Sequence, residues 1–161
     1  MLLFWDASAL VKRYSPEPGT ALVNEAFHRV EAARMMALQV GLLEVASILV
    51  RKKNAGLIAQ ADFDLAVQLF RGEIIADQSF LVILERLELM SPALDLIGRH
   101  NLNATDGLLL SAALALQTAS ADRLMLWTSD QRLGRAARTE GLLVFDPEAE
   151  TLPNLLQVLG T

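Results

Sequence analysis

Leu2-Leu3-Phe4-Trp5-Asp6-Ala7-Ser8 is the stretch whose reading decides the fold. Four apolar residues are too few for a helix, and they end at once in a carboxylate and a hydroxyl. They read as a buried strand of the parallel type, which delivers Asp6 to the edge of a sheet. An Asp directly after a strand is also a common cap for the next helix, so the stretch alone assigns Asp6 no role.

The pattern returns near the other end of the chain, where Leu124-Met125-Leu126-Trp127 is followed by Thr128-Ser129-Asp130. Met35 to Leu38, Phe80 to Leu84 and Leu142 to Phe145 are further short apolar runs of strand type. Helical spacing fills the gaps between them. Ala7 to Tyr14 is a short segment broken by Pro16 and Pro18, and Thr20 to about Ala33 carries Leu22, Val23, Ala26, Phe27 and Val30 on one face. Val40 to Lys53 stops at Asn54-Ala55-Gly56, with basic residues suited to the negative end of its dipole. Ala59 to about Ile75 is amphipathic, and Ser91-Pro92 is expected to open a helix running to His100. Thr105 is the expected cap of a nearly all-apolar helix from Asp106 to Leu116, buried on most sides or lying in an interface. Gln131 to Thr139 follows the fourth strand. Strands alternating with helices imply an α/β domain with a mostly parallel sheet of about five strands between helical layers. Residues 1–147 form that domain, and residues 148–161 are a tail that reads as a short helix or as an arm on a partner.

Composition bounds the function. A chain of 161 residues, 53% hydrophobic, has the length of one domain and enough apolar surface for a sizeable core. It has no cysteine, which removes disulfides, thiol nucleophiles and thiolate metal sites, and makes the cytoplasm the natural compartment. No basic region follows Met1, and the longest apolar run falls short of the roughly 20 residues that a membrane span needs. The net charge of −5 argues against a protein that coats nucleic acid non-specifically, but not against an enzyme that grips it locally.

In an open parallel sheet, ligands bind beyond the carboxyl ends of the strands. Asp6 and Asp130 are expected at that edge, and Asp106, at a helix start, can join them. Each also has an ordinary structural reading as a cap or a first-turn acid. Glu44 sits within a helix among Leu42, Leu43, Val45, Ala46 and Ile48, with no cation three or four residues away, and can equally belong to an ordinary solvated stripe with Gly41, Ser47 and Arg51. If the four converge, two unit charges about 4 Å apart repel by about 4 kcal/mol at an effective dielectric of about 20, so a cation or protons must accompany them. Oxygen-only ligands favour Mg²⁺ or Mn²⁺. Ser8 and Thr128, each two residues from a strand-end Asp, are candidates to orient a carboxylate or to serve a local turn. Lys12, Arg13, Arg51 to Lys53, Arg132, Arg135 and Arg138 follow the acids and can either grip phosphates or form solvated helix faces. No Gly-rich phosphate loop or Ser/His/Asp arrangement is present.

Four short motifs in order resemble those of PIN domains, and among them the VapC-type toxins of bacterial toxin–antitoxin pairs. They are Asp6-Ala7-Ser8-Ala9-Leu10-Val11-Lys12, Leu43-Glu44-Val45-Ala46, Ala104-Thr105-Asp106-Gly107-Leu108-Leu109-Leu110-Ser111-Ala112-Ala113 and Thr128-Ser129-Asp130-Gln131-Arg132-Leu133. The resemblance implies a three-layer α/β/α fold, a metal-dependent endoribonuclease, a homodimer, and inhibition by a cognate antitoxin protein. It makes Asp6, Glu44, Asp106 and Asp130 the catalytic and metal-binding acids, with Ser8 and Thr128 supporting. Many relatives have Ala and His where this chain has Gly107 and Leu109, which questions any contact that the His would make. The leading expectation is hydrolysis of RNA phosphodiesters with Mg²⁺ or Mn²⁺. The alternative is a PIN-like module that binds RNA or a protein without cutting. An aspartyl-phosphate mechanism ranks last, because it would ordinarily want a second acid where Ser8 stands.

Overall fold

The computed structural model describes residues 1–160. Five strands, β1 (Leu2–Trp5), β2 (Met35–Leu38), β3 (Leu81–Ile83), β4 (Leu124–Trp127) and β5 (Leu143–Phe145), form one parallel sheet in the order β3-β2-β1-β4-β5. β1 lies at its centre, with Leu3 in register with Met35 on one side and Met125 on the other. The helices are α1 (Ala7–Leu10), α2 (Thr20–Arg29), α3 (Gln39–Asn54), α4 (Gln60–Phe70), α5 (Met90–His100), α6 (Ala104–Ala119), α7 (Gln131–Thr139) and α8 (Leu152–Leu159).

Successive strand residues point to opposite faces, and this sorts the interior into two cores. Leu3, Trp5, Met35, Ala37, Met125 and Trp127 pack under α1 to α4 and α8. Phe4, Met36, Leu38, Leu124 and Leu126 pack under α5, α6 and α7. The result is the three-layer α/β/α arrangement. No helix among the described residues is long and apolar enough to cross a membrane. Leu155 of α8 is fully buried in the first core, so this helix of the tail folds onto its own chain.

β1 leads to β2 on one side of the sheet, while β4 leads to β5 on the other. The crevice between the carboxyl ends of β1 and β4 is therefore the switch point where a ligand site is expected. Aromatic packing braces that end of the sheet: the rings of Trp5 and Trp127 are 4.5 Å apart between centroids, and Trp127 stacks on Phe145 at 4.3 Å.

Several local expectations differ from the structure. Asn103, not Thr105, caps α6, accepting a hydrogen bond from the Asp106 amide; the helix starts at Ala104 rather than Asp106 because Asn is among the strongest caps. α5 opens at Met90 rather than at Ser91-Pro92, continuing a 3₁₀ turn from Leu87 to Leu89 that supplies its first helical residues. The helix expected to run to Ile75 is α-helical only to Phe70 and then widens into a π-type turn, Arg71–Ala76, which keeps Ile74 buried. β3 is an edge strand with Leu81 40% exposed, and β5, at the other edge, is partly buried, whereas the three inner strands are almost wholly buried. The apolar helix α6 turns one face to the core, with Leu109, Leu110, Ala112 and Ala113 buried, while Ala115 and Ala119 are exposed.

Candidate functional site

Asp6 continues the ladder beyond β1 by donating its backbone N–H to the Trp127 carbonyl at 2.9 Å. Its side chain also caps α1, so the ordinary structural reading holds as well. Asp6 Oδ2 accepts the Ser8 hydroxyl at 2.5 Å, the Thr128 hydroxyl at 2.8 Å and, more loosely, the Ser8 amide at 3.3 Å. Each hydroxyl has one proton, and both protons go to Asp6, so each oxygen is left to accept. Ser8 Oγ accepts from the Ser129 amide at 2.9 Å, and Thr128 Oγ1 from the Asp130 amide at 3.0 Å. The two hydroxyls thus knit the end of β1 to the end of β4 around one carboxylate. Burial nevertheless wins, and the Asp6 carboxyl titrates above its ordinary range because desolvation outweighs these hydrogen bonds.

Asp130 turns Oδ1 toward the start of α7, accepting from the amides of Arg132 at 2.8 Å and Leu133 at 2.9 Å. Asp106 sits in the first turn of α6, tied to Asn103 in both directions: the Asn103 side-chain amide donates to Asp106 Oδ2 at 2.9 Å. Glu44 projects from the middle of α3, half-buried, and accepts the hydroxyl of Thr105. Thr105 therefore serves Glu44 rather than capping the helix.

The charges identify these groups as one cluster. The Asp106 carboxyl is pushed up to about 7, first by burial and then by the negative charges of Asp6, Asp130 and Glu44, with Arg132 opposing. Glu44 is also raised, by burial and then by Asp6, against the pull of its Thr105 hydrogen bond and Arg51. Four acids from four separate segments stand within electrostatic reach of one another at the switch point. They do not crowd one point, since among the described residues no three His, Asp or Glu side chains are gathered as a set that could hold a metal ion where they stand. At least one oxygen of Asp6, Asp106 and Asp130 is engaged by hydroxyls, Asn103 or helix amides. By donor chemistry the set fits a hard divalent cation: it is all oxygen, it is anionic, and it repels itself.

Asp106 and Asp130 open onto a groove of about 390 Å³, lined also by Asn103, Gln131, Arg132 and Arg135. Position 109 does not reach it. Leu109 is fully buried in the second core, and Gly107 gives up its side chain to let Ile97 pack close, so both departures from the common pattern have packing causes. Asn103 and Thr105 were not legible as site residues individually. The Asn-x-x-Asp spacing of a reciprocal cap was the available signal for Asn103.

Family models give no match to this chain, and neither do curated protein sequences. Solved structures do. A structure of PAE2754 from Pyrobaculum aerophilum superposes with a TM-score of 0.66 at 17% identity, covering 100% of this chain and 97% of that one. The chain has the PIN-like fold. FitAcB from Neisseria gonorrhoeae matches with a TM-score of 0.63 at 16% identity, over 92% of this chain and 100% of that one. A chain of a toxin–antitoxin complex from Klebsiella pneumoniae matches with a TM-score of 0.58 at 17% identity, over 91% and 98%. In all three the likeness extends over nearly the whole of both chains.

Proposed function

We propose that this chain is a Mg²⁺- or Mn²⁺-dependent endoribonuclease and the toxin of a type II toxin–antitoxin pair, acting as a homodimer in the cytoplasm and held in check by a cognate antitoxin protein. The observation that carries the reading is the coupling of Asp106 to Asp6, Asp130 and Glu44 at the β1/β4 crevice. Holding four acids within reach of one another, with Asp6 buried and Asp106 and Glu44 half-buried, destabilises a fold unless a cation or protons offset them, and the sheet edge is where such a cost serves a ligand. The fold shared with a chain of the Klebsiella pneumoniae toxin–antitoxin complex supports the partner.

Asp6, Asp106 and Asp130 would hold the cation, with Glu44 toward it or its water. A divalent cation supplies Lewis acidity and neutralises the charge that develops on a phosphodiester under attack. The chain's own contribution is positional. Ser8 and Thr128 fix the Asp6 carboxylate in one orientation, Asn103 fixes Asp106, and the amides of α7 fix Asp130.

The test is cleavage of a single-stranded RNA by wild type and Asp6→Asn, with Mg²⁺, with Mn²⁺ and with EDTA. Metal-dependent cleavage by wild type and its loss in a folded Asp6→Asn are expected. Equal Mn²⁺-dependent cleavage by both proteins would refute the assignment. The competing reading is a PIN-like module that binds RNA or a protein without cutting, favoured by the acids not being gathered at a single point. It expects no thermal stabilisation by millimolar Mg²⁺.

A further inference from the structure

The acid cluster continues into a basic trough. The groove beside Asp106 and Asp130 is lined by Arg132 and Arg135, and both arginines also line a second hollow of about 300 Å³ formed with His100, Asn101, Ala136 and Thr139. The two hollows therefore share a wall along α7. Arg132 and Arg135 are exposed and three residues apart, so they stand on one face of the helix with about 5–6 Å between their Cβ atoms. That is of the order of one nucleotide step in an extended strand.

Neither arginine is tied up in an ion pair, although Arg132 lies close enough to Asp106 to draw its carboxyl down. Arg132 donates to the Asn101 backbone carbonyl at 3.0 Å and makes no ion pair among the described residues, and Arg135 makes none either. The acid near the far end, Glu140, is already engaged by Arg99 and His100, both at 2.6 Å. Other cations of this acidic chain are paired off, among them Lys12, Arg13, Arg29 and Lys52. Arg138, the third basic residue of α7, lines neither hollow and lies toward Gly134.

Resting on the nuclease reading above, we propose that Arg132 and Arg135 form a track for the RNA backbone on one side of the scissile phosphodiester. The strand's phosphates leave the acid cluster along α7 toward His100 and Thr139. Arginines suit this because they present forked donors to phosphate oxygens and stay charged. Contacts of this kind set register and affinity but read no sequence.

The experiment uses the Asp6→Asn chain, so that binding is read without cleavage, and two fluorescein-labelled 12-nucleotide single-stranded RNAs of different sequence, followed by anisotropy across a salt series. Arg132→Ala and Arg135→Ala should each weaken binding about three- to tenfold for both sequences and each lower the salt slope by about 0.7. Arg138→Ala should stay within about twofold, and Arg135→Lys should recover most of the loss. In the Asp6-containing enzyme the same alanine variants should raise KM with kcat nearly unchanged. The proposal is overturned if the double alanine variant binds RNA as its parent does, or if Arg138→Ala costs as much as Arg135→Ala. The two readings separate cleanly. If the Asp6-containing chain shows no metal-dependent cleavage while the arginine variants still lose RNA affinity, the nuclease reading falls and the track stands as a binding surface, whereas metal-dependent cleavage indifferent to both arginines removes the track and keeps the nuclease.

Discussion

Replacing Asp106 by Asn should make the metal-free protein more stable at pH 8 and hardly change it at pH 4.5. The Asp106 carboxyl titrates at about 7 in the folded chain against an ordinary value of 3.8. Between those two values the folded state binds more protons than the unfolded state, so stability falls as pH rises through the window and the loss is complete above about 7. Each pH unit is worth about 1.4 kcal/mol, which would make the full cost about 4 kcal/mol in a dry site. Asp106 is only partly buried, and solvent screening brings this to about 1–2 kcal/mol. Against it stands the loss of a first-turn acid favoured by the helix dipole, about 0.5 kcal/mol. Asn keeps an oxygen that can accept the Asn103 amide, so the local hydrogen bond survives. The assay is urea denaturation in EDTA at pH 4.5, 6 and 8. A net gain of about 1 kcal/mol at pH 8 that vanishes at pH 4.5 is expected. Adding Mg²⁺ should stabilise wild type by about 2.7 kcal/mol at a hundred times its Kd, and Asp106→Asn by less. If the two proteins show the same pH dependence in EDTA, the electrostatic account of the cluster is wrong.

Three further substitutions probe the frame around the acids. Gly107→Ala would ordinarily stabilise a helix by about 1 kcal/mol, but here the new Cβ would lie 2.4 Å from Ile97 Cγ1; a net loss of about 1–3 kcal/mol in urea titrations is expected, smaller in the Ile97→Ala background. Thr128→Val deprives Asp6 Oδ2 and the Asp130 amide of their shared hydroxyl, which should cost about 1–3 kcal/mol, while Thr128→Ser restores most of it in the same measurement. Lys12, 2% exposed, bridges Glu17 at 2.9 Å and Glu148 at 2.5 Å. Lys12→Met should lower stability by about 2–3 kcal/mol, less than the 3–5 typical of a fully buried pair because Glu148 can rehydrate, and thermal melting should report it.

Much of the architecture is legible in the sequence. Leu2–Trp5 and Leu124–Trp127 are short, apolar and punctuated by a polar residue, and a buried parallel strand permits little else, so Asp6 and Asp130 could be placed at one sheet edge from pattern alone. Caps were less legible. Asn103 and Thr105 are both competent caps two residues apart, and only the path of the chain decides that Asn103 takes the amide while Thr105 turns to Glu44. Glu44 itself was ambiguous because a helix displays its acid to solvent or to a neighbour depending on what packs beside it.

The sequence by itself determined the order of strands and helices, the residue types available for chemistry, and the absence of any thiol ligand. Tertiary structure alone decided that β4 pairs with β1, because strand pairing depends on contacts between residues more than a hundred positions apart. From that pairing follow the Thr128–Asp6 hydrogen bond, the raised Asp106 carboxyl and the choice of Arg132 and Arg135 over Arg138. Local pattern records what each segment prefers, whereas electrostatic coupling and groove walls are properties of distances that no single segment contains.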